Sequence, residues 1–96
     1  MIRSIVVSAK AADEIRNAVK WYNEELWGLG DEFLIKLDFH YDLISRYPER
    51  YKQVNKSTQR CLMERFPYII FFTLDKDDLI ILRIRHSKQK PLKRFR

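Results

Sequence analysis

His86 follows Arg83-Ile84-Arg85 and opens a segment rich in lysine and arginine. Metal-independent cleavage of RNA needs a side chain that titrates near neutrality to move protons. It also needs cations to stabilise the extra negative charge of a pentacoordinate phosphorus. Arg60, Arg85 and His86 would form such a catalytic set, with Arg83 beside them, provided strand pairing brings these positions together. The competing reading of His86 is a strand-end histidine that bonds the backbone and fixes the tail. Lys52, Lys56 and Arg60 recur at four-residue spacing. With Arg83, Lys88, Lys90, Lys93 and Arg94 they make a candidate surface for phosphates or for a protein target. His40, set among Asp38, Tyr41 and Asp42, reads as a surface histidine with acidic neighbours.

Other chemistries lack their raw material. The chain has two histidines and one cysteine, none at ligand spacing, so no metal site is expected. It contains no Walker loop, glycine-rich dinucleotide turn or Gly-x-Ser-x-Gly elbow, and no cofactor is expected.

The 96 residues allow one domain with one modest core, and the lone Cys61 excludes an internal disulfide framework and fits a reducing cytosol. No apolar run approaches the roughly 20 residues of a membrane span, so a soluble, cytoplasmic protein with no membrane partner is expected. Charge is more telling in its position than in its total. Seven of the 19 basic residues and none of the 13 acidic ones follow Asp78, so residues 79–96 carry +7 and the remainder −1. A basic tail from about residue 87 therefore points to a polyanion or an acidic protein as partner.

The elements that must position these residues follow from periodicity. Residues 66–74 and 79–86 are two runs rich in Ile, Phe and Tyr, separated by Asp75-Lys76-Asp77-Asp78, and predict an antiparallel hairpin. Simple alternation in the second run puts Ile80, Leu82, Ile84 and His86 on one face and Ile81, Arg83 and Arg85 on the other. Upstream, residues 2–7 form a short β-like run, and Ser8 stands as the N-cap of a helix over about 9–27. Ile15, Val19, Tyr22 and Leu26 give that helix its apolar stripe. Gly28-Leu29-Gly30 ends it. Leu34, Leu37, Tyr41 and Ile44 then mark a second helix that stops at Tyr47-Pro48, antiparallel to the first across so short a loop. Residues 51–54 and 59–64 read as strands around a polar turn. The expected class is α+β, an antiparallel sheet with a helical hairpin packed on one face, in the order β-α-α-β-β-β. Whether the first strand joins the sheet is left open. Trp21 and Trp27 flank the first helix's stripe and are candidate anchors for a partner.

Several short motifs occur in this order: Ala12-x-Glu14-Ile15 with Trp21-Tyr22, Gly28-Leu29-Gly30-x-x-Phe33, and Arg60 followed by Phe66-Pro67-Tyr68-x-Ile70. Ile84-x-His86 and Pro91 complete the set. Together they resemble the RelE/ParE superfamily of toxins from bacterial type II toxin–antitoxin modules. The resemblance implies a small growth-inhibiting toxin held inactive by a cognate antitoxin. That partner would cover the cleft between helical hairpin and sheet and partly neutralise residues 83–96. Some members cleave mRNA at the ribosome, whereas ParE-like members block DNA gyrase. Cleaving members place an arginine directly after the tyrosine matched by Tyr68; here Ile69 stands there. Gln89 stands where many relatives have arginine, and Phe95 is the only late aromatic. The resemblance therefore leans toward gyrase as target, with a ribosome-dependent mRNA endonuclease and a non-toxic RNA-binding module as alternatives.

Overall fold

The computed structural model describes residues 2–89. Strand β1 (Ser4–Val7) leads into two helices, α1 (Ala9–Glu25) and α2 (Leu29–Arg46), followed by a short 3-10 turn (Pro48–Arg50) and strands β2 (Gln59–Leu62), β3 (Tyr68–Asp75) and β4 (Asp78–His86). The β-α-α-β-β-β order expected from the sequence is the one observed.

Ser8 caps α1 as its position suggested: its hydroxyl oxygen accepts the Ala11 N–H at 3.1 Å and its O–H donates to Leu82 O at 2.8 Å. The same side chain therefore starts the helix and ties it to β4. Between the helices Gly28 has φ +88°, a left-handed conformation that costs glycine nothing. Gly30 serves a different purpose. A β-carbon there would lie 2.7 Å from the Val19 carbonyl, so only glycine lets the two helices approach this closely. Its N–H donates to Asn23 Oδ1 at 2.8 Å.

The sheet order is β1-β4-β3-β2. The three later strands are antiparallel, while β1 joins the edge parallel to β4, from Ser4 opposite Asp78 to Val7 opposite Ile81. The sheet is thus mixed, because both helices lie in the crossover from β1 and return the chain in the same direction. Residues 51–54 do not form the expected strand. Only Gln53 bridges to Gln59, since the 3-10 turn bends the chain and Gln59 Nε2 donates to both Pro48 O and Tyr51 O, at 2.7 and 3.1 Å.

The expected alternation in β4 is broken as well. Arg83 pairs with Phe71 but Ile81 pairs with Phe72, which leaves Leu82 as an extra residue in a bulge. Leu79, Ile81 and Ile84 are consequently all buried under the helices, and Ile80 and Leu82 are not. Phe33, Leu37 and Ile44 of α2 meet Ile70, Phe72, Leu79 and Ile81 of the sheet in one core. Tyr22, Phe33, Phe66 and Tyr68 close its end as a ring cluster, with Phe33 5.2 Å from Phe66 and 5.1 Å from Tyr68. Among the described residues no helix is long and apolar enough to cross a membrane.

Candidate functional site

β1 accompanies β4 only as far as Ile81. Past that point an edge strand would expose backbone groups, and α1 supplies the partners instead. Ser8 N–H donates to Ile81 O at 2.9 Å, and Ile84 N–H donates to Glu14 Oε1 at 2.8 Å. Glu14 also receives Arg83 through both ends of its guanidinium, Nε to Oε1 at 3.1 Å and Nη2 to Oε2 at 2.8 Å. Arg85 Nη1 lies 4.0 Å from the same carboxylate. The three side chains are only 13%, 17% and 18% exposed for Arg83, Arg85 and Glu14. Arg83 and Arg85 were expected to present free positive charge. Instead, one carboxylate faces both, in a bidentate, charge-assisted contact with Arg83 and a looser one with Arg85, and leaves the three groups with a net charge of +1.

Pairing register places the remaining sequence candidates. Arg60, Phe71 and Arg83 are cross-strand neighbours, as are Leu62, Ile69 and Arg85. The next row, Cys61, Ile70 and Ile84, is buried beneath the helices, so Arg60, Arg83 and Arg85 occupy positions on the sheet's other side. His86 is opposite Tyr68, whose ring packs on Phe33, and thus belongs to the helix side. The proposed trio is divided by the sheet: Arg60 and Arg85 on one side, His86 on the other.

His86 is also engaged. Its Nδ1 accepts the Lys88 N–H at 3.1 Å, its own N–H donates to Gln89 Oε1 at 2.7 Å, and its ring stands edge-on to Tyr68 at 5.2 Å. With Nδ1 as acceptor, the neutral imidazole carries its proton on Nε2. Lys52 and Lys56 are exposed on the loop before β2, and Lys88 is exposed after β4. Lys90, Lys93 and Arg94 lie outside the described residues.

The helix side of this end of the sheet opens into a cleft. A cavity of about 480 Å³ is lined by Trp21, Tyr22, Pro67, Tyr68 and His86. An adjoining one of about 310 Å³ reaches Glu14, Asn17 and Gln89. Burial, and then the Glu14 carboxylate, raise the Tyr68 phenol above its ordinary range, so it stays a hydroxyl at neutral pH. Trp21 is 55% exposed and Trp27 92% exposed, whereas Tyr22 is buried. Both tryptophans therefore stand free for contact, but only Trp21 lines the cleft.

His40 departs from the surface reading: it is 3% exposed. Its Nε2 accepts the Glu64 N–H at 3.0 Å, and Nδ1 lies 3.7 Å from Cys61 Sγ. It fastens α2 to the end of β2. Burial pushes the Cys61 thiol up to about 11, leaving it protonated and inert. The residue that sequence reasoning passed over is Glu14, which enters there only within the motif Ala12-x-Glu14-Ile15. An acid on the helix facing two arginines on the last strand was the available signal.

Comparison with solved structures gives a match to a chain from "Chromosomal ParDE TA system from P. aeruginosa". It covers 91% of this chain and 98% of that one, with a TM-score of 0.76 and 14% sequence identity, a likeness of fold. None of the curated proteins matches the sequence. The family described as the ParE toxin of the type II toxin–antitoxin system, parDE, matches residues 5–91, and the chain belongs to that family.

Proposed function

We propose that this toxin acts without catalysis, by binding DNA gyrase through the basic segment that follows β4. The observation carrying this reading is the division of the nuclease candidates: Arg60 and Arg85 lie on the opposite side of the sheet from His86, and Arg83 is held by Glu14. An acid–base pair acting on one phosphate needs its groups within hydrogen-bond reach of the same atoms. With Arg83 and Arg85 drawn to Glu14, the cations left for a target at the C-terminal end are Lys88 and those of residues 90–96. The cognate antitoxin, on this reading, covers the cleft at Trp21, Tyr68 and His86 and neutralises that basic segment.

Purified components separate the mechanisms. The toxin should inhibit supercoiling by gyrase and leave gyrase-dependent DNA breaks, and His86→Ala should retain that effect. Cleavage of ribosome-bound mRNA that disappears in His86→Ala would overturn the reading in favour of an endonuclease.

A further inference from the structure

Among the described residues the most exposed large apolar side chain is in the turn between the helices: Trp27 is 92% exposed, and Leu26 beside it 62%. The backbone that carries it is fixed. Leu26 N–H donates to Tyr22 O at 2.9 Å, Leu29 N–H donates to Leu26 O at 3.0 Å, and Gly28 between them is left-handed. An aromatic of this size buries roughly 150–250 Å² when it enters a pocket, and a knob already held in place loses little freedom in doing so.

A hole of matching character belongs to the same helical hairpin. The cleft of about 480 Å³ is lined by the rings of Trp21, Tyr22, Tyr68 and His86 and by Pro67. The chain does not fill it with its own knob, since Trp27 stands in water. Charge runs along this surface in one direction. Helix α1 passes from Glu14 and Asn17, at the end of the cleft shared with Gln89, to Trp21 and then to the turn. At the turn Glu24, Glu25 and Asp31 are exposed, and none has an ion pair among the described residues. At the other end Lys88 is exposed, Arg83 and Arg85 outnumber Glu14 by one charge, and every charged residue after Asp78 is basic.

We propose that two copies of this chain pair about a two-fold axis, each seating Trp27 in the cleft of the other, with the acidic turn of one copy over the Lys88 end of its partner. A knob and a hole on one surface are self-complementary under such an axis and make the contact twice. The antiparallel arrangement brings acid to base, and a parallel one would set like charges together. A second copy supplies both complements at once, an aromatic hole for Trp27 and cations for Glu24 and Glu25. The antitoxin, read above as covering this cleft, then has to displace the second copy. That exclusion rests on the toxin–antitoxin reading; the pairing itself does not.

Sedimentation velocity of the full chain over a concentration series tests the pairing. The parent should dimerise, and added salt should weaken the dimer about fivefold. Trp27→Ala should weaken it about thirtyfold, and should leave the melting temperature of the dilute, single chain unchanged because the ring is almost wholly in water. Glu25→Lys and Lys88→Glu should each weaken it about tenfold, and the two changes in one chain should restore most of the loss. The small protein encoded in the adjacent reading frame should bind more slowly as the parent is concentrated into dimers, and at a constant rate to Trp27→Ala. A chain that stays monomeric, or a dimer that Trp27→Ala leaves intact, would overturn the pairing and leave the toxin–antitoxin reading standing. Dimers formed as described, with no complex with the small protein, would uphold the pairing and overturn that reading. Equal binding rates to single and paired chains would overturn the exclusion and place the antitoxin on another surface.

Discussion

Glu14 and Arg83, 69 positions apart, meet through two parallel hydrogen bonds of 3.1 and 2.8 Å, and the same carboxylate closes the backbone of β4 at Ile84. One side chain thus does for β4 what a neighbouring strand would have done. Removing it leaves an unmatched N–H and an arginine without its principal partner, both mostly shielded from water.

Glu14→Ala should therefore destabilise the fold by about 2–3 kcal/mol, below the loss for a fully buried pair because these groups keep some solvent. Urea denaturation measures it. A cycle with Arg83→Met isolates the pair, and a coupling energy of about 1–2 kcal/mol is expected. If the two losses simply add, the contact is incidental to stability.

His40 gives stability a defined dependence on pH. Its imidazole accepts the Glu64 N–H, so protonation would set two donors against each other. Burial lowers its pKa below the ordinary 6.5; the Glu64 carboxylate opposes that shift, and Lys36 adds to it. The Cys61 thiol, also close, remains neutral. Below about pH 6.5 the unfolded chain takes up a proton that the folded chain still refuses. Stability contributed by His40 is therefore complete above that pH, and declines as pH falls until the folded histidine titrates too. Chemical denaturation between pH 7.5 and 5 should show this decline, and His40→Gln, which can still accept the N–H, should flatten it.

The two glycines of the helical hairpin should respond differently to substitution. Gly28→Ala meets open space and suffers only the left-handed backbone, about 1 kcal/mol. Gly30→Ala drives a methyl to 2.7 Å from the Val19 carbonyl and must part the helices, at about 3 kcal/mol. Thermal melts of the two variants give the order, and equal losses would contradict the close-approach role assigned to Gly30.

What could be read from the sequence follows the range of the interaction responsible. Ser8 as N-cap, Gly28 as helix terminator and the hairpin of apolar strands are local signals, and the structure contains each of them. The bulge at Leu82 leaves no such trace. One extra residue shifts the phase of the strand, so Ile81 rather than Ile80 enters the core. The parallel docking of β1 and the pairing of Glu14 with Arg83 depend on positions some 70 residues apart, which only the assembled sheet brings together. His40 sat in plain view, three residues after Leu37 and four before Ile44, on the buried stripe of α2. Its polarity hid it, because a histidine is buried comfortably only when the fold supplies it a partner such as the Glu64 amide.

The two tryptophans offer the sharpest separation between binding the antitoxin and acting on the target. Trp21 stacks edge-on against Tyr22 at 5.1 Å and lines the cleft with Tyr68 and His86, whereas Trp27 is almost wholly exposed beyond the end of α1. An aromatic that is half-seated in a concave site, with neighbours already ordered, is the kind of residue on which binding energy concentrates. Trp21→Ala should thus cost about 2 kcal/mol in antitoxin affinity, roughly thirtyfold, while Trp27→Ala costs less than a fifth of that. Neither change touches the basic segment, so if gyrase is the target as proposed, both variants should still inhibit it. On the same reading, truncation after Gln89 should do the reverse: it removes four of the seven cations that follow Asp78, Lys90, Lys93, Arg94 and Arg96, spares Lys88 and the pair drawn to Glu14, and should abolish most inhibition while the cleft stays formed. Calorimetric titration with the antitoxin, run alongside a supercoiling assay, reads both properties on the same preparations. Inhibition that survives the truncation at full strength would move the target-binding surface away from the end of β4.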